Sequence, residues 1–184
     1  MPEFINYHFS QCRGLQKNVI FLMLCKFQMK IRLIHTGKTR FTYVEKGCDD
    51  YYSRIKRYIP FQEIINKDIK NTGHTGIEEI KRKEGEQLLK LIQPSDYLVL
   101  FDCKGVSHSS ESFADFLDNL FMKGQSLIFA TGGAYGFSEE VYNRSNYTLS
   151  LSKMTFSHQL VRLLVAEQLY RALTIIKGEP YHHA

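Results

Sequence analysis

Residues 125–137 read QSLIFATGGAYGF, and the fold turns on them. The first half is an apolar run of strand length. A strand with one wet face alternates apolar and polar residues, and this one does not. Both of its faces must be covered, as in a parallel sheet with helices above and below. The second half places glycines at 132, 133 and 136 directly after the strand. Glycine permits positive φ and lets a ligand approach the backbone closely. Ligands of open α/β sheets bind beyond the C-terminal ends of the strands. The stretch is therefore either a tight turn or the wall of a binding pocket. Its spacing, G-G-x-x-G, is not the dinucleotide fingerprint G-x-G-x-x-G.

Working outward, residues 97–101 (YLVLF) form a second continuous apolar run, followed by a loop expected over 102–109 that contains Gly105. Residues 30–35 (KIRLIH) alternate and read as a first strand; 61–65 and 147–151 read as two more. Helical spacing covers 41–57, 77–92 and 158–176. In the helix beginning near Ser110, Phe113, Phe116, Leu117, Leu120 and Phe121 fall at i, i+3, i+4, i+7 and i+8. Ser110 is its expected cap, and Glu111 suits its positive end. A short acidic helix starts at Ser138. Residues 67–76 are polar, with two glycines, and read as a loop. Strands alternating with helices give an α/β fold, a mostly parallel sheet with helices on both faces. The apolar stripe of the last helix is very broad (Leu160, Val161, Leu163, Leu164, Val165, Leu169, Leu173, Ile176) and predicts burial on two sides, the second in a homodimer. Arg162 and Arg171 fall on its less apolar side, where an arginine is expected to face solvent.

The 184 residues are 43% hydrophobic and 23% charged, enough for one ordinary domain with a core. The net charge is +5, and +2 of it lies in the first 28 residues, so charge alone does not establish a nucleic-acid partner. Cys12, Cys25, Cys48 and Cys103 show no C-x-x-C spacing, which speaks against a zinc knuckle and for a reduced, cytoplasmic protein. Residues 19–27 (VIFLMLCKF) are too few to span a membrane, which takes about 20. Met29-Lys30-Ile31 opens a clean strand. Residues 1–28 are therefore expected to be an extension outside the fold, and 29–184 the domain.

The segment Ser152-Lys153-Met154-Thr155-Phe156-Ser157-His158 precedes the last helix. Ser157 or Thr155 can cap that helix, and a helix N-terminus also suits an anion. Near the C-terminus stand Tyr181-His182-His183, and the His pair lacks a third metal ligand at nearby spacing.

Several strings, in order from Met29 onward, resemble the RlmH family. They are Met29-Lys30-Ile31, Lys83-Glu84-Gly85, Gly132-Gly133-x-x-Gly136, the run from Ser150 through Phe156 with His158-Gln159, Tyr170-Arg171-Ala172, and Gly178-Glu179-Pro180-Tyr181-His182. The resemblance implies a homodimeric SPOUT methyltransferase with a C-terminal trefoil knot. It also implies transfer of a methyl group from S-adenosyl-L-methionine (SAM) to N3 of a pseudouridine in 23S ribosomal RNA of the assembled ribosome, without a metal. The implied cofactor residues are Phe101, Gly133, Ser152, Lys153, Met154, Thr155, Phe156 and Ser157. The sequence departs from the family at Ser157, where Pro is usual and whose replacement is expected to loosen the loop. It departs again at Phe101, where Leu is usual. The expected groups for handling the target proton are Arg171, His182 and, with less behind it, His158. Two other readings stand beside this one. A nucleotide-dependent α/β enzyme needs a phosphate-binding helix after Gly136, where Glu139 and Glu140 stand instead. A non-catalytic ribosome- or RNA-binding module does not need the intact loop strings.

Overall fold

The computed structural model describes residues 29–69 and 75–182. Expectations about residues 1–28, residues 70–74 of the 67–76 loop and His183 lie outside the described residues. Five strands form one parallel sheet in the order β2-β1-β4-β3-β5. They are β1 (Ile31–Thr36), β2 (Phe61–Asn66), β3 (Tyr97–Ser107), β4 (Leu127–Thr131) and β5 (Tyr147–Ser150). The stretch read first is thus a central strand: all five residues of β4 are buried, paired with β1 on one side and β3 on the other.

Five helices cover the sheet: α1 (Thr42–Ile55), α2 (Ile77–Lys90), α3 (Ser110–Met122), α4 (Glu139–Arg144) and α5 (Leu160–Ile176). One core, on the side of α1, α3 and α5, takes Leu33, Val99, Leu127 and Phe129 from the strands. The other, on the side of α2 and α4, takes Ile34, Leu98, Leu100, Ile128 and Ala130. Successive strand residues go to opposite cores, which is why the central strands carry no polar alternation.

Two expectations fail locally. The strand expected to stop at Phe101 runs on to Ser107. β5 pairs with β3 on both sides of an irregularity: Leu149 stands opposite Phe101 and again opposite Val106. Gly105 makes this possible, because a Cβ there would sit 2.6 Å from the backbone of Leu149. The cap of α3 is Ser109, not Ser110; its side chain accepts from Ser112 N at 3.1 Å.

Helix α5 packs against both α1 and α3 and buries Val165, Ala166, Leu169, Ala172 and Leu173. Its broad stripe is largely used inside one chain, lying between two helices and over the sheet. Arg162 is the correction on this helix: it is 1% exposed, not solvated. Its Nη2 donates to Thr36 O at 2.7 Å and its Nη1 to Thr39 Oγ1 at 2.9 Å. A helix flanked on both sides leaves no wet face at that position, so the guanidinium takes its partners from the end of β1.

Candidate functional site

At the C-terminal edge of the sheet three segments meet around a cavity of about 390 Å³. The first is the end of the regular part of β3, with Phe101, Asp102 and Cys103. The second is the glycine turn after β4, residues 131–134 with Gly136 and Phe137. The third runs from Ser150 to Leu151, Ser152, Met154, Thr155, Phe156, Ser157 and His158, reaching Val161 on α5. Segments 101–103, 131–137 and 150–158 thus open one crevice, where ligands of open α/β sheets are bound.

Each wall has a local cause. The glycine turn closes with Gly136 N donating to Gly133 O at 3.2 Å, and Gly136 has φ +80°, which favours glycine. Asp102 is fixed by Tyr142, whose hydroxyl donates to Oδ2 at 2.8 Å, and by the amide of Lys104 on Oδ1. In the third segment Ser150 Oγ donates to Ser152 O at 2.8 Å, and Ser152 Oγ accepts from Met154 N at 3.0 Å. Ser157 Oγ accepts from Leu160 N at 3.2 Å. The residue expected to loosen this loop therefore supplies a hydrogen bond to the start of α5, partly offsetting the lost ring. Met154, 74% exposed, and Phe156 form an apolar lip.

The crevice collects Phe101, Gly133, Ser152, Met154, Thr155, Phe156, Ser157 and His158. Lys153 is exposed and does not line it. His158 has its imidazole held below the ordinary range, first by partial burial and then by the charges of Arg162 and Arg40. A neutral imidazole at the rim is able to accept a proton at neutral pH.

Arg171 and His182 lie elsewhere. Glu167 binds Arg171 through Nη2 at 2.6 Å and Nε at 2.9 Å, and Arg171 stacks over Tyr181 at 4.8 Å. His182 Nδ1 is 3.4 Å from Arg171 Nη1, and its Nε2 is 2.6 Å from Glu111 Oε1. Glu111 is held well down, to about 2, first by its own backbone amide, then by Ser109 and His182. A second cavity of about 370 Å³ is lined by His108, Ser109, Ser110, Phe113, Leu164 and Gln168; Arg171, His182 and Glu111 do not line it, though Ser110 and Gln168 are the chain neighbours of Glu111 and Glu167. The two cavities share Ser150, Leu151 and Phe156.

Sequence reasoning missed the polar groups behind the glycine turn. His35 is wholly buried, with Nδ1 2.7 Å from Thr131 Oγ1 and Nε2 2.9 Å from Tyr52 Oη. Burial, then the Arg162 charge, lowers its pKa to about 3. The alternation of KIRLIH placed His35 on a strand, but nothing in that stretch named its partners on α1 and β4. Among the described residues no three His, Cys, Asp or Glu side chains are grouped to hold a metal ion.

The α/β fold, the crevice at the strand ends and the strings that build it define a class, and comparison with known proteins gives the same one. The family model described as "Predicted SPOUT methyltransferase" matches residues 29–182, and the chain belongs to the SPOUT methyltransferase family. Within it, the chain is similar to proteins named ribosomal RNA large subunit methyltransferase H. That of Parabacteroides distasonis is 47% identical over 156 residues, covering 84% of this chain and 99% of the relative. The relative from Christiangramia forsetii is 49% identical with the same coverage, and that from Trichlorobacter lovleyi is 44% identical over 84% of this chain and all of its own length. A solved structure titled as a probable methylase family protein from Haemophilus influenzae overlaps 85% of this chain and 71% of its own, at TM-score 0.47 and 12% identity.

Proposed function

We propose that the protein transfers a methyl group from SAM to N3 of a pseudouridine in 23S rRNA of the assembled ribosome, acting as a cytoplasmic homodimer. The observation that carries this reading is the convergence of residues 101–103, 131–137 and 150–158 on one crevice in a SPOUT methyltransferase. The names of its relatives support ribosomal RNA as substrate. No described helix is long and apolar enough to cross a membrane. We assign the methyltransferase domain to residues 29–184, with a knotted C-terminal part, and leave 1–28 outside it.

The residues present fit such a cofactor. A volume of about 390 Å³ lies in the range of small-molecule sites. Glycines 132, 133 and 136 keep one wall free of side chains, while Phe101, Phe137, Leu151 and Phe156 supply apolar surface for an adenine ring. Lys153 contributes at most a backbone group or a surface charge. When bound, SAM supplies an electrophilic methyl group on a sulfonium, and displacement by a nitrogen needs no metal.

The chain's residues then have two tasks. The three segments hold donor and acceptor in line, which is worth several kcal/mol, up to about 7–11 in the best cases. A second group must take the N3 proton as the N–C bond forms, or stabilise the anionic ring. Arg171 and His182 line neither cavity, so in this reading they act on a base held beside the second, which adjoins the first through Ser150, Leu151 and Phe156. His158 serves at the rim of the first. Calorimetric titration with SAM tests the reading: saturable one-site binding is expected, and an absence of heat at millimolar SAM would remove it.

A further inference from the structure

Helix α2 carries four acidic residues among its fourteen. Glu79 pairs with Lys83, Glu78 with Lys81 and Glu86 with Arg82 on the outer surface. Glu84 turns inward and is 7% exposed. A buried carboxylate is normally hydrogen-bonded on both oxygens, since each lost the water it had in the unfolded chain. Glu84 is satisfied on one side only. Its Oε1 accepts from Ile69 N at 3.0 Å, just past the end of β2. Its Oε2 is buried with no hydrogen-bond partner among the described residues.

That free oxygen lies against the glycine turn. A Cβ on Gly133 would fall 2.8 Å from Glu84 Oε2 and 3.2 Å from Thr36 Cγ2. Gly133 is a wall of the first cavity, so Glu84 stands directly behind the surface the ligand meets. The surroundings hold it there: Asn66 Nδ2 donates to the Glu84 carbonyl at 3.0 Å, and Asn66 Nδ2 lies 3.4 Å from Thr36 Oγ1. Burial and then the charge of Asp68 push the carboxyl pKa up, as suits a group kept from water with one oxygen unmatched.

We propose that Glu84 is a positioning residue of the cofactor cavity. One oxygen pins Ile69, and the other supports the turn at Gly133 and accepts a backbone N–H of that turn when SAM is seated. It acts through Gly133 and touches neither reacting atom. The inference rests on the reading of the cavity as the SAM site.

Three single variants, one double variant and three readouts decide it. In Glu84→Gln the shape is kept, but an amide has one acceptor and cannot serve both Ile69 and the turn. SAM affinity by calorimetry is expected to fall about tenfold, the worth of one hydrogen bond, while the melting temperature stays equal or rises because a buried acid is gone. Gly133→Ala is expected to lose affinity by clash, and Glu84→Ala in the same chain to recover part of it by making room. Unchanged affinity in Glu84→Gln, or strict additivity of the other two, overturns the proposal. Hydrogen exchange of the ligand-free protein separates this outcome from a failed SAM reading. If the wild type binds no SAM, faster exchange at residues 132–136 in Glu84→Ala still supports the prop at Gly133, and unchanged exchange there overturns it.

Discussion

His182 is placed by two side chains from different helices, Glu111 on α3 and Arg171 on α5. If it handles the target proton, His182→Ala lowers turnover at saturating SAM by about 10²–10⁴, with SAM affinity retained. An unchanged rate removes it from catalysis. His35 makes a prediction about stability. Its folded pKa is about 3 against 6.5 for an unperturbed imidazole, so between those values the unfolded chain binds the extra proton. Stability therefore rises with pH across that window and is lost as pH falls below 6.5, by up to about 1.4 kcal/mol per pH unit from this one group. Urea unfolding of wild type and His35→Asn at pH 6.5 and 5.0 checks it: the wild type loses more on acidification. The residues that line the crevice were legible because they sit in motifs at strand ends. His35, Glu84 and Arg162 were not, because what sets them apart is burial among partners distant in the chain: Thr131 for His35, Thr36 for Arg162, and the glycine turn for Glu84.

At the scale of elements, the sequence pattern recovered each strand and helix among the described residues, and the errors fall where backbone contact overrides it. Apolar content ended β3 at Phe101, yet pairing with β5 resumes at Val106, a residue left largely exposed. No side-chain pattern announces a strand whose second half is held by backbone contact at Gly105. Gly105→Ala is expected to cost about 1–3 kcal/mol by overpacking, since the added methyl group meets the Leu149 backbone and not a flexible side chain. The same change shifts Ser150 and Leu151, shared by both cavities, so SAM affinity falls with stability. Denaturant unfolding and calorimetry on one preparation measure both, and an equally stable Gly105→Ala variant would mean that the close approach to Leu149 does not require glycine. Helix α5 taught the converse lesson. A stripe that wide read as an interface, and much of it serves to wedge the helix between α1 and α3. The homodimer proposed above would use half-buried positions that remain, such as Leu160 and Leu164.

For the whole molecule, the order β2-β1-β4-β3-β5 puts β4 at the centre and brings the loops after β3, β4 and β5 to neighbouring positions on one edge. That adjacency makes a crevice from three separated segments, and spacing along the chain does not contain it. The sequence implied α/β alternation, while the strand order came only from the structure. The adjoining cavity is the place proposed for the base; Ser110 and Gln168 in its lining neighbour Glu111 and Glu167, which bind His182 and Arg171. In the proposed reaction a methyl group moves from one cavity to the other. Incubating the purified protein and labelled SAM with intact ribosomes and with free large subunits, both unmodified at the site, then mapping the label in the RNA, tests this most directly. Label is expected on N3 of one pseudouridine in 23S rRNA, in intact ribosomes and not in free subunits. Label on another base, or none in either substrate, would contradict it.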